Sequence, residues 1–254
     1  MAKTGQPSTA RVASAQRSLA ILDVLATETS LGTNELARRL GTSPSTTSRQ
    51  LATLVEAGLV EHLPATGRYQ LGIRIVALAT AVLARLDVRA VAHPHLEALA
   101  AELGETATLS VPAEPDAVTV DVVRSSRYIA DGSRLGRPSV AHASAAGKVM
   151  LAFDGVRAAR ELQAYTPRTI TDQRELEVEI DRVRKRGWAD AFEEREVGLN
   201  AIAAPIWSSD GALAGIIALQ GPIPRFGKAA ARAALPSLRE HADAISSELG
   251  SESR

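Results

Sequence analysis

Residues 33–58, Thr33-Asn-Glu-Leu-Ala-Arg-Arg-Leu-Gly-Thr-Ser-Pro-Ser-Thr-Thr-Ser-Arg-Gln-Leu-Ala-Thr-Leu-Val-Glu-Ala-Gly58, constrain the fold more than any other stretch of this chain. They read as two short helices joined by a tight turn. Thr33 is placed to cap the first helix, whose apolar stripe is Leu36, Ala37 and Leu40. Gly41 falls where a helix C-terminus calls for a left-handed residue. Ser43-Pro44 then supplies a cap and a first-turn proline for the second helix. An advance of about 100° per residue puts Thr47, Leu51, Leu54 and Val55 on one side of it. Ser45, Arg49, Ala52 and Thr53 fall on or near the other side, with Thr46 at its edge.

That outward side is short, thin and polar. Arginine suits guanine or phosphate, and Ser/Thr hydroxyls bond to backbone or base. A helix presented in this way fits the DNA major groove; the plainer alternative is an amphipathic helical hairpin with a solvated face. Val60-Glu-His-Leu63 and Tyr69-Gln-Leu71 read as two short strands around Pro64-Ala-Thr-Gly-Arg68, a hairpin offering Arg68 at its tip to a phosphate or minor groove. Helix, turn, helix and hairpin make a winged helix-turn-helix.

Charge supports this division. The chain of 254 residues has a formal net charge of zero, but the balance is uneven. Residues 1–86 hold nine Lys and Arg against five acids, a net of +4, so the remainder carries −4. A basic first third on an acidic body is what phosphate binding at one end requires. The charge is modest, so tight binding needs two such units together. With 45% apolar residues the chain can bury one large core or two ordinary ones. No run of 18 apolar residues marks a membrane span, and the polar start Met1-Ala-Lys-Thr-Gly-Gln-Pro-Ser8 is no secretory signal, so the expected location is cytoplasmic. The absence of cysteine excludes disulfides and thiolate metal sites.

Residues 1 to about 10 read as a mobile tail, and Ser14–Glu28 as an apolar-periodic helix backing the helix-turn-helix. After the wing, Ile75, Ala79, Val82 and Leu86 form a short heptad-like seam, either pairing with a second copy or packing on their own domain. A helix over Val91–Leu103 leads into strands at Glu105–Val111 and Ala117–Val123, with a third at Ser126–Ala130. Helices are expected at Ser144–Phe153, Val156–Tyr165 and Asp172–Arg186, strands at Leu199–Trp207 and Leu213–Gln220 around the turn Ser208-Ser-Asp-Gly211, and a last helix from Lys228 to Leu249. The pattern is that of an α+β domain.

His142, Ser144 and Lys148 bring together a base, a hydroxyl and an amine, which raises the question of an enzyme. Their spacing argues against one. There is no Gly-x-Ser-x-Gly elbow, and Ala143–Lys148 lacks the first glycine and trailing Ser/Thr of a phosphate loop. Ser144 reads as a helix cap, and Lys148 as facing solvent or a carboxylate. The five histidines are scattered, and His93-Pro-His95 is a poor metal pair. No catalytic residue, metal site or cofactor is assigned. A protein-interaction role for the winged helix, or hydrolase-type activity in the second domain, are the competing readings.

Taken in order, these motifs resemble a known family. Ala15-Gln-Arg-Ser-Leu-Ala-Ile-Leu-Asp-Val-Leu25, Glu35-Leu-Ala-Arg-Arg-Leu-Gly41, Ser45-Thr46 with Arg49, Leu51-Ala-Thr-Leu54 and Arg68-Tyr-Gln-Leu-Gly72 look like the IclR family of bacterial transcriptional regulators. So do Gly104-Glu-Thr106, His142-Ala-Ser-Ala-Ala-Gly-Lys148, Thr169-Ile-Thr171, Arg186-Gly-Trp-Ala189, Glu194-x-x-x-Gly198, Ala201-Ile-Ala-Ala-Pro205 and Gly221-Pro222. Each motif is weak alone; the ordered set, from about Ala10 to Gly250, is specific.

The resemblance implies a winged helix-turn-helix over residues 10–72, a linker helix over 73–87 and a GAF-like α+β effector-binding domain over 88–250. It implies a repressor of a metabolic or catabolic operon, held as a homodimer or a homotetramer on double-stranded operator DNA. The expected DNA contacts are Arg17, Thr33, Ser45, Thr46, Arg49, Thr53 and Arg68. The family's effector contacts carry over to Ala145, Ala146, Ala191, Ala201, Ala218 and Gln220. Relatives that bind small 2-oxo acids tend to carry polar groups at the last four positions, whereas three are alanine here. A small organic effector, larger or more apolar and aromatic in character, is therefore expected, with Gln220 among few specific hydrogen-bonding groups.

Overall fold

The computed structural model describes residues 13–83, 87–124, 135–136 and 138–251. The tail over residues 1–10 and the expected strand Ser126–Ala130 lie outside them. The chain divides into two compact units, Met1–Arg85 and Leu86–Arg254.

The first unit is built from α1 (Ala13–Ala26), α2 (Thr33–Arg39), α3 (Pro44–Glu56), the hairpin strands β1 (Val60–Leu63) and β2 (Arg68–Leu71), and α4 (Arg74–Leu83). Ile21 and Leu25 of α1, Leu36 of α2, Leu51 and Leu54 of α3, and Val60 of β1 meet in one core, joined by Leu31. Local chemistry sets most boundaries. Gly41 takes φ 61° just beyond α2, and Ser43 caps α3 by accepting from Thr46 N at 3.2 Å, with Pro44 at the first helical position.

Two details differ from the sequence-based expectation. The cap of α2 is Gly32, with Thr33 already in the first turn and no side-chain cap bond. The inner face of α3 is Thr47, Gln50, Leu51 and Leu54, while Val55 is 36% exposed. Those four buried positions span a narrow arc, and α1, α2 and β1 pack on α3 along that arc. Gln50 is thus buried with Oε1 unpartnered among the described residues.

The second unit holds α5 (Asp87–Leu103) and a six-stranded antiparallel sheet in the order β5-β4-β3-β8-β7-β6. Its strands are β3 (Thr106–Ala113), β4 (Asp116–Val123), β5 (Pro138–Ser139), β6 (Ala189–Phe192), β7 (Leu199–Trp207) and β8 (Leu213–Pro222). Helices α6 (Ala145–Phe153) and α7 (Gln173–Arg186) pack on one face. Helix α5 and the long α8 (Lys228–Glu248) pack on the other. Asp172 caps α7 through Glu175 N, and Gly187 closes it at φ 77°.

Strand β6 was not anticipated. Ala-Asp-Ala-Phe has little strand propensity, and pairing with β7 imposes its conformation. The expected helix Val156–Tyr165 is absent, and this segment runs irregularly. Its carbonyls bond to distant side chains instead of completing a helical ladder. Gln173 Nε2 donates to Ala159 O and Arg160 O at 2.7 and 3.0 Å, and His142 Nε2 lies 2.9 Å from Gln163 O. Meanwhile Val156, Ala158 and Leu162 pack onto the core.

Candidate DNA-contact face and effector site

On the first unit, Ser45, Ser48, Arg49, Ala52 and Thr53 are exposed along α3, with Thr46 half-buried at the edge. Ser48 was missing from the expected contact set; its exposure follows from the inner face centring on Thr47 and Gln50 rather than Val55. The start of the helix is held stiffly. Ser43 Oγ donates to Thr46 Oγ1 at 2.9 Å and lies 3.1 Å from Ser45 Oγ. The buried Thr47 hydroxyl lies 2.8 Å from Thr42 Oγ1 and donates to Ser43 O at 3.2 Å. Thr53 Oγ1 donates to Arg49 O at 3.2 Å.

Among the described residues no ion pair or hydrogen bond occupies the Arg49 guanidinium, so it stands available to an outside acceptor. Arg39 is different. Glu28 at 2.8 Å and Glu35 at 3.2 Å hold it, and the bond to Glu28 raises its pKa. Arg17 of α1 is exposed and Thr33 half-buried.

Arg68 departs from expectation. The tip of the hairpin is Pro64–Gly67, with Gly67 at φ 66°. Arg68 begins β2, its side chain 42% exposed, with Nε donating to Ser30 Oγ at 3.1 Å and Nη2 to Ser30 O at 2.6 Å, and Glu35 at 3.7 Å. It ties the wing to the chain ahead of α2.

On the second unit, register aligns Ala191, Ala201, Gln220 and Thr106 in one row across β6, β7, β8 and β3. The next row is Ala189, Ala203, Ala218 and Thr108. Both face α6, whose Ala145 and Ala146 belong to the same buried cluster as Ala191 and Ala218. The structure thus brings all six expected effector residues to one side of the sheet. Ala201 and Gln220 are half-buried and the other four are buried. A half-open groove of about 320 Å3 lies on the opposite face, against Trp188, Asp190, Phe192, Lys228 and Arg232, and includes none of the six.

Ser144 caps α6, accepting from Gly147 N at 3.0 Å and donating to Val140 O at 2.9 Å. Since His142 bonds to Gln163 O, the serine and histidine have no bond to each other that could activate a nucleophile. Lys148 meets a carboxylate, not solvent. It is 1% exposed, with Nζ donating to Glu194 Oε1 at 2.6 Å and Asp190 O at 3.0 Å. Burial pushes the Glu194 carboxyl above its ordinary value while Lys148 pulls it back. The Thr166 and Thr169 hydroxyls donate to Glu193 O and Glu194 O, each at 2.6 Å. This cluster joins segments far apart in sequence, and no local signal pointed to it.

A winged helix-turn-helix with a polar outward helix, on the same chain as an α+β unit of this topology, defines a two-unit DNA-binding regulator. Family models agree over nearly the whole chain. The IclR helix-turn-helix domain matches residues 14–64, and the bacterial transcriptional regulator IclR C-terminal domain matches residues 80–247. The chain belongs to the IclR family of transcriptional regulators. It is 34% identical over 250 residues to the glycerol operon regulatory protein of Streptomyces griseus, covering 94% of this chain and 97% of that one. It is 30% identical over 229 residues to the transcriptional repressor IclR of Escherichia coli, covering 87% and 84%. These relatives are named as regulators, not enzymes. The same fold occurs in an IclR homolog from Microbacterium hydrocarbonoxydans complexed with 4-hydroxybenzoate, at TM-score 0.77, 23% identity and coverage of 94% and 99%.

Proposed function

We propose that this protein is a cytoplasmic, ligand-responsive repressor of a metabolic or catabolic operon, binding a near-palindromic operator as a homodimer or a dimer of dimers. The observation that carries this reading is Arg49, exposed and unpaired among the described residues on the outward face of a capped, stiff α3. Ser45, Ser48, Thr46 and Arg49 contact bases or phosphates; Thr53, Arg17 and the first turn of α2 at Thr33 lie against the backbone. Arg68 acts chiefly by positioning the wing. One unit with a net of +4 is a weak binder, and two units one helical turn apart on the DNA multiply the affinity. No helix among the described residues is long and apolar enough to cross a membrane.

The test is fluorescence-anisotropy titration of the DNA upstream of the regulated operon. Arg49→Ala should weaken binding by about 1–3 kcal/mol. The wild-type affinity should fall steeply with salt. Unchanged affinity removes Arg49 from the interface, and a flat salt profile favours a protein-interaction module.

The effector reading rests on three alanines in two neighbouring rows of the sheet. Ala191, Ala201 and Ala218 offer no polar group, so a small, strongly hydrated 2-oxo acid is poorly compensated there. An aromatic or otherwise apolar acid fits better, held between α6 at Ala145–Ala146 and the sheet, with Gln220 next to Ala201 in the same row. Calorimetry with benzoate and 4-hydroxybenzoate against pyruvate and glyoxylate tests this; micromolar binding of either 2-oxo acid overturns it. The name of the S. griseus relative makes glycerol a further probe. Effector and operator should weaken each other's binding by the same factor, as linkage requires.

A further inference from the structure

The six residues carried over from the family leave the candidate effector site with one polar side chain, Gln220. A second polar group lies next to Ala191, two strands away from Gln220. Lys148 follows Ala145 and Ala146 by less than one turn on α6, and its ammonium bonds to the carbonyl of Asp190, the residue before Ala191. That ammonium holds Glu194, two residues beyond the end of β6 and at the same end of the sheet as the row Ala191–Ala201–Gln220.

Only half of the Glu194 carboxylate is used. Oε1 accepts from Lys148, while Oε2 is buried with no partner among the described residues. The side chain is not needed to hold its own loop, because Thr166, Thr169 and Arg168 secure that segment. The two hydroxyls bond to the carbonyls of Glu193 and Glu194, and Arg168 pairs with the Glu193 carboxylate at 2.9 Å. A buried carboxylate oxygen with an empty acceptor site, oriented by a buried lysine, is a poor structural device and a good receptor for a hydroxyl.

We propose that Glu194 is a specificity-determining residue of the effector site, its Oε2 accepting a hydrogen bond from a hydroxyl of the effector while Lys148 fixes the carboxylate. This rests on the effector reading given above and narrows it to hydroxylated acids. Gln220 and Glu194 would then bracket an alanine floor from two sides.

The test is calorimetric titration of the full-length protein with benzoate and its three monohydroxy isomers. At least one isomer should bind about tenfold tighter than benzoate, the value of one hydrogen bond to a charged group. Glu194→Gln should reduce that advantage to about threefold or less, read as the ratio of hydroxybenzoate to benzoate affinity within the variant. Because one uncompensated charge beside Lys148 can unfold the domain, the double variant Lys148→Met with Glu194→Leu, which replaces the pair by apolar side chains, should show the same loss. Equal binding of benzoate and every isomer, or a preference that survives both variants, overturns the role of Glu194 and leaves the apolar-acid reading standing. Failure of all four compounds to bind overturns that reading and this one with it.

Discussion

Gly147 provides a demanding test of how α6 is seated. It lies in the first turn of that helix, between the candidate effector residues and Lys148. A Cβ there would come within 2.4 Å of Val140 O, 2.6 Å of Ala141 Cα and 2.7 Å of Ala141 O. Ordinary contact starts at 3.4 Å, so Gly147→Ala forces an opening of about 1 Å. All three obstacles are backbone, and that backbone is tethered: Val140 O accepts from Ser144 Oγ at 2.9 Å, and Ala141 N donates to Asp116 Oδ1 at 2.8 Å. Overpacking of this kind costs about 1–3 kcal/mol. Replacing a helical glycine by alanine returns about 1 kcal/mol. With no flexible side chain to yield, the upper end of the cost applies and the net loss is about 2 kcal/mol. Trp188 and Trp207 both belong to the second unit, and Trp207 lies edge-on to Phe153 of α6 at 5.3 Å. Tryptophan fluorescence in urea therefore reads the unit in question. The midpoint should fall, and thermal unfolding should drop by about 4–8 °C for a unit of this size. A midpoint unchanged or raised in Gly147→Ala would refute the argument, showing that helix propensity outweighs the close approach.

In the first unit, Gln50→Met removes the unpartnered buried acceptor while keeping an unbranched side chain. It should stabilise the unit by about 1 kcal/mol, seen as roughly fivefold greater hydrogen-exchange protection of the α3 amides; unchanged or reduced protection would mean Gln50 is better satisfied than its surroundings indicate. Between α5 and α8, His241 Nδ1 lies 2.9 Å from His95 Nδ1, and burial followed by His95 lowers the His241 pKa below its ordinary 6.5, against the opposing pull of Glu102 and Glu240. The unfolded chain therefore takes up a proton near pH 6.5 that the folded chain resists, so this histidine costs stability as pH falls through 6.5 toward the lowered folded value. Urea unfolding should show a smaller acid loss in His241→Gln than in wild type between about pH 7.5 and 5.5, and equal losses would contradict the assignment.

Much of this protein was legible in its sequence because the signals act over a few residues. Ser43-Pro44, Asp172 and the glycines 41 and 187 mark helix ends through cap bonds and left-handed backbone, chemistry complete within about four positions. The turn Ser208–Gly211 between β7 and β8 is of the same kind, and Leu199–Trp207 matched the observed strand residue for residue. The exposure of Ser45, Arg49 and Thr53 followed from helical period alone. Family motifs singled out Ala145, Ala191, Ala201, Ala218 and Gln220, and strand register aligns the last four in two neighbouring rows, though their role there is proposed, not observed.

What the sequence could not decide was which partner a side chain meets. Period put Val55 inside, but the packing of α1, α2 and β1 chose Gln50, since burial depends on the arc that neighbouring elements cover. Arg68 reads as a hairpin-tip cation; only the fold brings Ser30 to it across 38 residues of chain. Val156–Tyr165 has helical propensity, yet side chains of α7 and His142 take its carbonyls. Lys148 had two readings in the sequence, solvent or carboxylate, and Glu194, 46 residues away, decided between them. Caps, turns and periods are properties of neighbouring residues and are written in their order. Burial, charge pairing and an unfilled acceptor depend on what tertiary packing places opposite a residue, and sequence order does not encode that locally.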